Sequence, residues 1–375
     1  MRVGNYEKGN IMDYKAWYTL DIDPVEYYAQ IAATEGRDPL ATARTRDTDA
    51  TIPGEVRPLL FNVSAEIKNT FNEFGAPMPP LMEGCTVVIL GCGSGRDVYL
   101  AAQLVGPEGK VIGVEPNAER LAIAEKYLDK EIAQFGYEKC NVELMVGVPE
   151  NLSAIADGIA DIVISNCTFN LSPNKQAYIR EVFRILKDNG EFYFTDVFTD
   201  RRIPTEISKV VANRADRLAG AMFVGDFRRL VQRNGFNDPR YLMNFKTPVN
   251  DADRARYGAV AFATLTVRVL KSEWTEDVCE SYGETVTYDG SLPDYPDFFL
   301  FEHNIKFPAG KDCVVCGNVS GLAKHSRYAK VFKVVGDRTT HIGDTHHAFD
   351  ALVIDAPEYT GIYDEDDQPV HASCC

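Results

Sequence analysis

Positive charge and long apolar runs are scarce in this chain. Its 375 residues carry 39 Lys and Arg against 55 Asp and Glu, a formal net charge of −16. A chain this acidic, with no Lys/Arg-rich run interleaved with aromatic residues, is repelled by a phosphate backbone, which argues against nucleic acid as a partner. The longest apolar stretch, near residues 258–267, is far too short to span a bilayer, so we expect no membrane partner.

Cysteine is absent from the first 80 residues, and the first ten residues lack the apolar core of a signal peptide. The chain has nine cysteines in all. An odd number of cysteines without a secretory signal is typical of reduced thiols and not of a disulfide framework. The sequence therefore predicts a cytoplasmic protein.

A complete set of metal ligands is also missing. Cys313 and Cys316 have the spacing of a zinc knuckle or a redox pair, but no second Cys-x-x-Cys follows. The other conceivable ligands are irregularly spaced, namely His341, His346, His347, Cys374 and Cys375. We therefore predict no metal site, and we interpret the acidic segment 364–367 as a solvated loop.

The most informative segment present is an apolar strand that runs into a Gly-x-Gly-x-Gly turn. Gly91, Gly93 and Gly95 lack Cβ atoms, so the backbone can turn tightly and approach a ligand closely. A second strand ends at Glu115, near the spacing at which a carboxylate accepts hydrogen bonds from both ribose hydroxyls. Arg96 stands where a dinucleotide site needs its third glycine, which weakens a pyrophosphate interpretation. The pattern favours S-adenosylmethionine, with an ordinary strand-to-helix turn as the alternative.

Strand and helix signals alternate from about residue 85 to residue 245. The predicted strands are 87–90, 111–114, 142–146, 161–165 and 191–196, and the predicted helices are 97–105, 118–135 and 176–186. This alternation predicts a doubly wound α/β fold. Short β-like segments at 259–270 and 285–288 indicate a small α+β domain beyond it. We predict an N-terminal helical cap and linker at 1–80, a cofactor-binding domain at 81–245 and a C-terminal domain with an acidic tail at 246–375.

In a doubly wound sheet, ligands lie at the carboxyl ends of the strands where the strand order reverses. The residues that follow each strand are therefore predicted to bind the cofactor: Gly91, Cys92, Gly93, Ser94, Gly95, Arg96, Asp97, Glu115, Pro116, Val148, Pro149, Glu150 and Asn166. Glu150 is expected to border the adenine, and Asn166 and Cys167 to lie near the methyl group. For Cys167, a structural role as a small buried side chain stays open beside a functional one.

The sequence resembles the arsenite methyltransferase family. The resemblance is carried by Leu90-Gly-Cys-Gly-Ser-Gly-Arg-Asp-Val-Tyr99, Leu104-Val-Gly-Pro-Glu-Gly-Lys-Val-Ile-Gly113, Ile164-Ser-Asn-Cys167, Asn170-Leu-Ser-Pro173, Arg180-Glu-Val-Phe-Arg184 and Asp196-Val-Phe-Thr-Asp-Arg-Arg202, with Cys279-Glu-Ser-Tyr-Gly and Val315-Cys-Gly-Asn318 near the C-terminus. It implies a Rossmann-like methyltransferase fold with S-adenosylmethionine as cofactor. It also implies trivalent arsenic held by cysteine thiolates, whose lone pair attacks the methyl group.

The resemblance also shows where this chain departs from the family. Of four typical cysteines, the one in Ser-Asn-Cys is present as Cys167, which the resemblance implies as the catalytic and substrate-binding thiol. Ala76 and Arg217 stand where two others would align, and the earliest has no counterpart. Arg217 thus becomes a candidate substrate-binding residue. Further arsenic ligands would come from glutathione or from Cys374 and Cys375.

Three functions are open at this point. Methyl transfer to a trivalent metalloid predicts tight arsenic binding. Transfer to a small organic thiol or nitrogen compound, with Arg217 and Asp216 binding a charged substrate, predicts indifference to arsenite. A cofactor- or metal-binding regulator predicts cofactor affinity without turnover. Methylation of DNA or RNA is disfavoured because Ser165-Asn-Cys-Thr168 replaces the Asn/Asp-Pro-Pro-aromatic motif of amino-methylating enzymes.

Overall fold

The computed structural model describes residues 18–33, 52–71, 73–214, 217–302 and 305–345. Helices in this part of the chain are α1 (Pro24–Ala32), α2 (Ala65–Asn69), α3 (Arg96–Val105), α4 (Ala118–Gln134), α5 (Lys175–Ile185), α6 (Thr205–Ser208), α7 (Val211–Arg214), α8 (Val224–Arg233), α9 (Asp251–Tyr257) and α10 (Gly317–His325), with 3₁₀ turns at Arg57–Asn62 and Arg327–Lys330. Within the described residues, no helix combines the length and the apolar character needed to cross a membrane.

The strands in the same residues are β1 (Thr86–Leu90), β2 (Lys110–Glu115), β3 (Val142–Val146), β4 (Ala160–Asn166), β5 (Leu186–Thr199), β6 (Met222–Phe223), β7 (Arg240–Lys246), β8 (Phe262–Leu270), β9 (Cys279–Ser281), β10 (Thr285–Tyr288), β11 (Phe298–Glu302), β12 (Ile305–Pro308), β13 (Asp312–Val314), β14 (Phe332–Val335) and β15 (Gly343–Thr345). The predicted strands and helices of residues 87–196 are thus all present, with their ends shifted by a few residues.

The central sheet has the order β3-β2-β1-β4-β5-β8-β7, and β6 pairs with β5. Strands β1 to β5 run parallel, whereas β8 is antiparallel to both of its neighbours. The strand order reverses between β1 and β4, which is where a doubly wound sheet opens a ligand crevice. The predicted doubly wound α/β class is confirmed.

Both faces of the sheet are covered, and this explains why its first strands are continuously apolar. Val88 and Leu90 of β1 pack into one hydrophobic core, and Val87 and Ile89 pack into another on the opposite face. A parallel strand with helices on both sides needs apolar residues at every position. The sequence signal at residues 87–90 was therefore strong.

Strand β8 lies in the central sheet, although its residues were expected in the C-terminal domain. Nine residue pairs join it to β5, from Glu191 opposite Leu270 to Thr199 opposite Phe262. The pattern of residues 259–270 predicts a strand but does not specify its partner. The predicted limits 1–80, 81–245 and 246–375 remain a proposal, and strand pairing favours placing the second limit after Leu270.

Beyond β8, three small antiparallel sheets form an α+β unit with α10. Their orders are β13-β10-β14, β11-β12 and β15-β9. Their shared apolar core contains Tyr288, Phe299, Phe301, Tyr328 and Phe332, all buried. The small α+β C-terminal architecture expected from the sequence is present.

The described N-terminal segment crosses the ligand edge of the sheet. The Tyr18 hydroxyl donates to Asp226 Oδ2 at 2.8 Å, and the Leu20 N–H donates to the Pro173 carbonyl at 2.8 Å. Helix α1 begins at Pro24, and the Asp23 carboxylate caps its N-terminus. These contacts place α1 over the carboxyl ends of the strands.

Candidate active site

A cleft at the carboxyl ends of β1, β2 and β4 encloses about 490 Å³ of empty space, part of it open to solvent. It is lined by Tyr28, Ile31, Ala32, Glu73, Gly91, Glu115, Pro116, Asn117, Arg120, Pro149, Thr168, Leu171 and Arg217. Four residues predicted to bind the cofactor are in this lining, namely Gly91, Glu115, Pro116 and Pro149. The predicted substrate residue Arg217 is there as well.

The glycine-rich turn is required by its backbone and by its packing. Gly91, Gly93 and Gly95 have φ angles of 68°, 55° and 96°, which L side chains adopt only with strain. A Cβ on Gly91 would lie 2.2 Å from Thr168 Cγ2, and one on Gly95 would lie 2.7 Å from Ala124 Cβ. From the sequence, this space was expected to hold a ligand. In the structure, protein side chains occupy it.

Glu115 is held at the cleft wall by two backbone donors. Its Oε2 accepts from the Gly93 N–H at 2.8 Å, and its Oε1 accepts from the Asn117 N–H at 3.0 Å. Burial raises the pKa of this carboxyl group, opposed by nearby Arg120 and by both N–H donors. Because each carboxylate oxygen has two lone pairs, one per oxygen is left for further donors. A vicinal diol such as a ribose fits this acceptor pair.

Arg96, Asp97 and Asn166 were predicted to bind the cofactor, but they are not in the cleft lining. Arg96 Nε donates to Asp97 Oδ1 at 2.9 Å, and its guanidinium also donates to the Gly75 carbonyl and lies 3.2 Å from the centre of the Phe71 ring. Asn166 Nδ2 donates to Asp97 Oδ2 at 3.1 Å. This buried network holds the segment before β1 against the ends of β1 and β4, because its partners come from both.

Cys92 and Ser94 also face inward. The Ser94 hydroxyl donates to the Ile67 carbonyl at 3.3 Å and accepts from the Thr70 hydroxyl at 2.7 Å, which ties the turn to α2. Burial raises the pKa of the Cys92 thiol well above its usual value. In this arrangement both side chains support the turn.

The loop after β3 is fastened to α1. Glu150 Oε1 accepts from the Tyr28 hydroxyl at 3.2 Å and from the Ser172 hydroxyl at 2.5 Å. Burial raises the pKa of Glu150 to about 6, although those two hydroxyls favour the carboxylate. Val148 is buried in the same apolar cluster as Tyr28. Pro149, between Val148 and Glu150, is the residue of this loop that reaches the cleft.

Cys167 is buried behind the cleft and 2% exposed. Its φ of 56° places it in the left-handed region, at the sharp turn that follows β4. Burial, followed by the charge of Asp196, raises the pKa of its thiol, while Arg217 and the Phe74 N–H act in the opposite direction. The thiol is therefore protonated at neutral pH.

The turn that carries Cys167 is anchored to β5 through Asn170. Its N–H donates to Asp196 Oδ2 at 2.8 Å, and its side-chain amide donates to the Val197 carbonyl at 2.7 Å. The ammonium group of buried Lys175 donates to the Asn170 carbonyl at 3.1 Å. Asp196 is fully buried, and burial raises its pKa to about 6. The position of Cys167 thus depends on a polar network that the cleft does not contact.

Three charged side chains meet in the cleft wall, and we call them the charged wall: Glu73, Arg120 and Arg217. Glu73 Oε1 lies 3.2 Å from Arg120 Nη2 and 3.5 Å from Arg217 Nη2. Arg217 has a φ of 64°, and Asp216 lies outside the described residues. Ala76, a few residues after Glu73, is buried.

Several residues of the cleft lining were not predicted from the sequence, namely Tyr28, Ile31, Ala32, Glu73, Arg120 and Leu171. Arg120 lies in the first turn of the helix that follows Glu115, so the strand-end rule could have reached it. No local pattern marks Glu73 or α1, because they precede the sheet and reach the cleft through tertiary contacts.

The two cysteines of the Cys-x-x-Cys segment lie in different surroundings. Cys313 Sγ lies 3.7 Å from the Lys311 carbonyl oxygen, whereas Cys316 Sγ is 3.5 Å from Arg240 Nη2. Among the residues that the structure describes, no group of three or more His, Cys, Asp or Glu could hold a metal ion. His341 contacts Glu280 at 2.7 Å. His346, His347, Cys374, Cys375 and segment 364–367 lie outside the described residues.

Comparisons with known proteins cover most of this chain. A family model described as a methyltransferase domain matches residues 81–235, and one described as the arsenite methyltransferase C-terminal domain matches residues 282–375. The sequence is 37% identical over 320 residues to the arsenite methyltransferase of Aquipseudomonas alcaligenes, covering 84% of this chain and 91% of that protein. It is 32% identical to the arsenite methyltransferase of Homo sapiens over 83% of each chain.

A solved structure is similar over nearly its whole length. It is the crystal structure of an arsenic(III) S-adenosylmethionine methyltransferase from Chlamydomonas reinhardtii. The two folds match with a TM-score of 0.75 and 36% sequence identity, over 78% of this chain and 99% of that chain.

Proposed function

Because the chain belongs to the arsenite methyltransferase family and is an S-adenosylmethionine-dependent methyltransferase, we propose that it transfers the methyl group to trivalent arsenic. The observation that carries the proposal is the likeness to an arsenic(III) methyltransferase over 99% of that structure. The family membership confirms the resemblance seen in the sequence. It also argues against a regulator without chemistry.

The cleft has the groups that S-adenosylmethionine requires. We assign Glu115 to the ribose hydroxyls because its carboxylate is fixed by Gly93 and Asn117 and faces the cleft. Gly91, Pro116 and Pro149 would contact the rest of the nucleoside. When bound, the cofactor would supply an electrophilic methyl group on a positively charged sulfur for attack by the arsenic lone pair, with the S–C electron pair returning to sulfur.

Cys167 would bind arsenic by thiol exchange. Its thiol is protonated at neutral pH, so the proton must leave when the As–S bond forms. The As–S bond to Cys167 forms as a bond between arsenic and a small thiolate breaks, and the proton leaves on the departing thiolate. The sulfur is uncharged both as a thiol and in the As–S bond, so the exchange leaves no charged thiolate in the buried site.

The other arsenic ligands would come from small thiols. Cys167 lies directly before the lining residue Thr168, and the lining residues of the described chain include no cysteine that could add a second protein thiolate. Glutathione is a suitable source, because soft thiolate sulfur suits As(III). The protein then acts mainly by holding arsenic and cofactor close together in a dry, fixed geometry. The acidic net charge disfavours nucleic acid as a partner, and the nine cysteines support a cytoplasmic location.

The test is methyl transfer from labelled S-adenosylmethionine to arsenite in the presence of glutathione, with methylated arsenic identified by mass. Cys167→Ser should abolish the product while cofactor binding persists. Cys140→Ser is the matched control, because Cys140 is exposed and precedes β3, at the strand ends opposite to the cleft. Methylation of thiols or amines in place of arsenic, unaffected by Cys167→Ser, would overturn the proposal and favour the organic acceptor.

A further inference from the structure

We propose that Arg120 and Arg217 form a carboxylate-binding subsite of the cleft that takes one carboxylate from each of two ligands, and that Glu73 of the chain itself fills it in this structure. The inference rests on the proposed function, because it names a group that the cofactor or the arsenic-bound thiol must carry. It assigns the charged wall a role in recognition.

The geometry is that of a built anion site. Both guanidinium groups approach the same oxygen, Glu73 Oε1, at 3.2 Å and 3.5 Å. The three residues come from separate parts of the chain: the segment before β1, the first turn of α4 and the segment before β6. They meet at the cleft wall, and all three line it. A guanidinium is the side chain best matched to a carboxylate.

The three charged side chains are largely removed from water. The exposed fractions of the side chains are 8% for Glu73, 22% for Arg120 and 11% for Arg217. Two partly desolvated cations repel each other when the carboxylate between them leaves. If Glu73 turns away as a ligand enters, a carboxylate of that ligand restores the charge balance. The proposal requires only that the Glu73 side chain rotates, while the backbone at Phe74 and Gly75 stays held by Asn166 and Arg96.

The cofactor and the thiol that carries arsenic could each supply a carboxylate, and each arginine lies nearer to the expected place of one of them. Arg120 Nη2 lies against the glycine-rich turn, only 3.0 Å from where a Cβ on Gly93 would be. The segment that carries Arg217 packs against the turn that carries Cys167, since a Cβ on Gly220 would lie only 2.0 Å from the Asn170 carbonyl oxygen. We therefore assign Arg120 to the methionyl carboxylate of the cofactor and Arg217 to a carboxylate of the thiol that carries arsenic.

The first arm of the test concerns the cofactor. Calorimetric dissociation constants are measured for S-adenosylhomocysteine and for methylthioadenosine, which lacks the amino-acid carboxylate. Arg120→Met should weaken binding of the first about tenfold or more and leave the second nearly unchanged. Arg254→Met is the control, because Arg254 and its partner Asp251 are both exposed on the surface of α9. Equal effects of Arg120→Met on both compounds would overturn this assignment.

The second arm concerns the acceptor. Arsenic methylation is measured with glutathione, which has carboxylates, and with 2-mercaptoethanol, which has none. Arg217→Met should raise the KM for arsenic with glutathione about tenfold or more and spare the reaction with 2-mercaptoethanol, and Arg217→Lys should retain part of the preference. Equal losses with both thiols would overturn the assignment.

Failure of the proposed function is distinguishable from failure of this inference. If arsenic is not methylated with either thiol, the function fails, whereas the calorimetric arm still tests Arg120. Circular dichroism and thermal midpoints establish that each variant is folded. If neither arginine distinguishes ligands with and without a carboxylate, Glu73 is a structural ion-pair partner and the subsite does not exist.

Discussion

Replacing Gly91 by alanine tests the packing of the glycine-rich turn most directly. Gly91 has a φ of 68°, and the left-handed conformation costs an alanine about 1–2 kcal/mol. The new Cβ would also lie 2.2 Å from Thr168 Cγ2 and 2.9 Å from Thr168 Cβ. Overpacking of this kind costs about 1–3 kcal/mol.

Thr168 cannot easily turn aside to make room for the new methyl group. Its hydroxyl contacts the Ser165 hydroxyl at 2.6 Å and the Leu90 carbonyl at 3.2 Å. Gly91→Ala should therefore lower the free energy of unfolding by about 2–5 kcal/mol, which is the sum of the backbone and packing costs.

The assay is urea unfolding followed by circular dichroism, with two comparisons. Gly136→Ala is the matched control: Gly136 has a φ of 77° with nothing within 4 Å of a new Cβ, so about 1–2 kcal/mol of backbone cost alone is expected. Thr168→Ala removes Cγ2 but leaves Cβ, and should recover about 1–2 kcal/mol in the double variant. If Gly91→Ala destabilises no more than Gly136→Ala, the steric reasoning is refuted.

Three further predictions concern buried polar groups. The pKa of Glu150 is raised from 4.5 to about 6, so the native state loses stability as pH rises through this window, about 2 kcal/mol in all. Glu150→Gln should remove that part of the pH dependence in unfolding measured from pH 4 to 7. Because Asp196 titrates in an overlapping range, the contribution of Glu150 is taken as the difference in pH dependence between the wild type and Glu150→Gln. Arg96→Met leaves buried Asp97 without its cation and should cost about 3–5 kcal/mol in urea unfolding, whereas Arg254→Met, in an exposed pair with Asp251, should stay within about 0.5 kcal/mol; similar values would contradict the network. Asp196→Asn loosens the turn that carries Cys167, and we expect kcat to fall about tenfold with little change in cofactor Kd; a loss of cofactor affinity alone would show that Asp196 acts elsewhere.

Much of the sheet was predictable because local signals agree with the fold. Residues 87–90 are apolar on both faces, and the glycines after them are needed at positive φ. The partner of β8 could not be read from its sequence, because the alternation of a strand does not specify its neighbours.

The candidate site was predictable only in part. Glu115 and Arg217 lie in the cleft as expected, but Arg96 binds Gly75, about twenty residues upstream. An arginine beside a glycine-rich turn can face either the ligand or the protein. Here the segment before β1 supplies the Gly75 carbonyl and the Phe71 ring, so Arg96 faces the protein. Glu73 had no sequence signal for the same reason: its partners, the two arginines, become neighbours only after folding.

The place of β8 between β5 and β7 has a consequence for synthesis on the ribosome. In the described chain, β7 reaches the sheet only through β8, yet it is translated first. Until Leu270 has emerged, β5 has an unpaired edge and β7 has no partner, so the nascent chain exposes strands that can pair with other chains. A truncated chain that ends near residue 245 would leave that edge of β5 permanently unpaired, and we expect it to aggregate. One that stops just after residue 270 contains every strand of the central sheet.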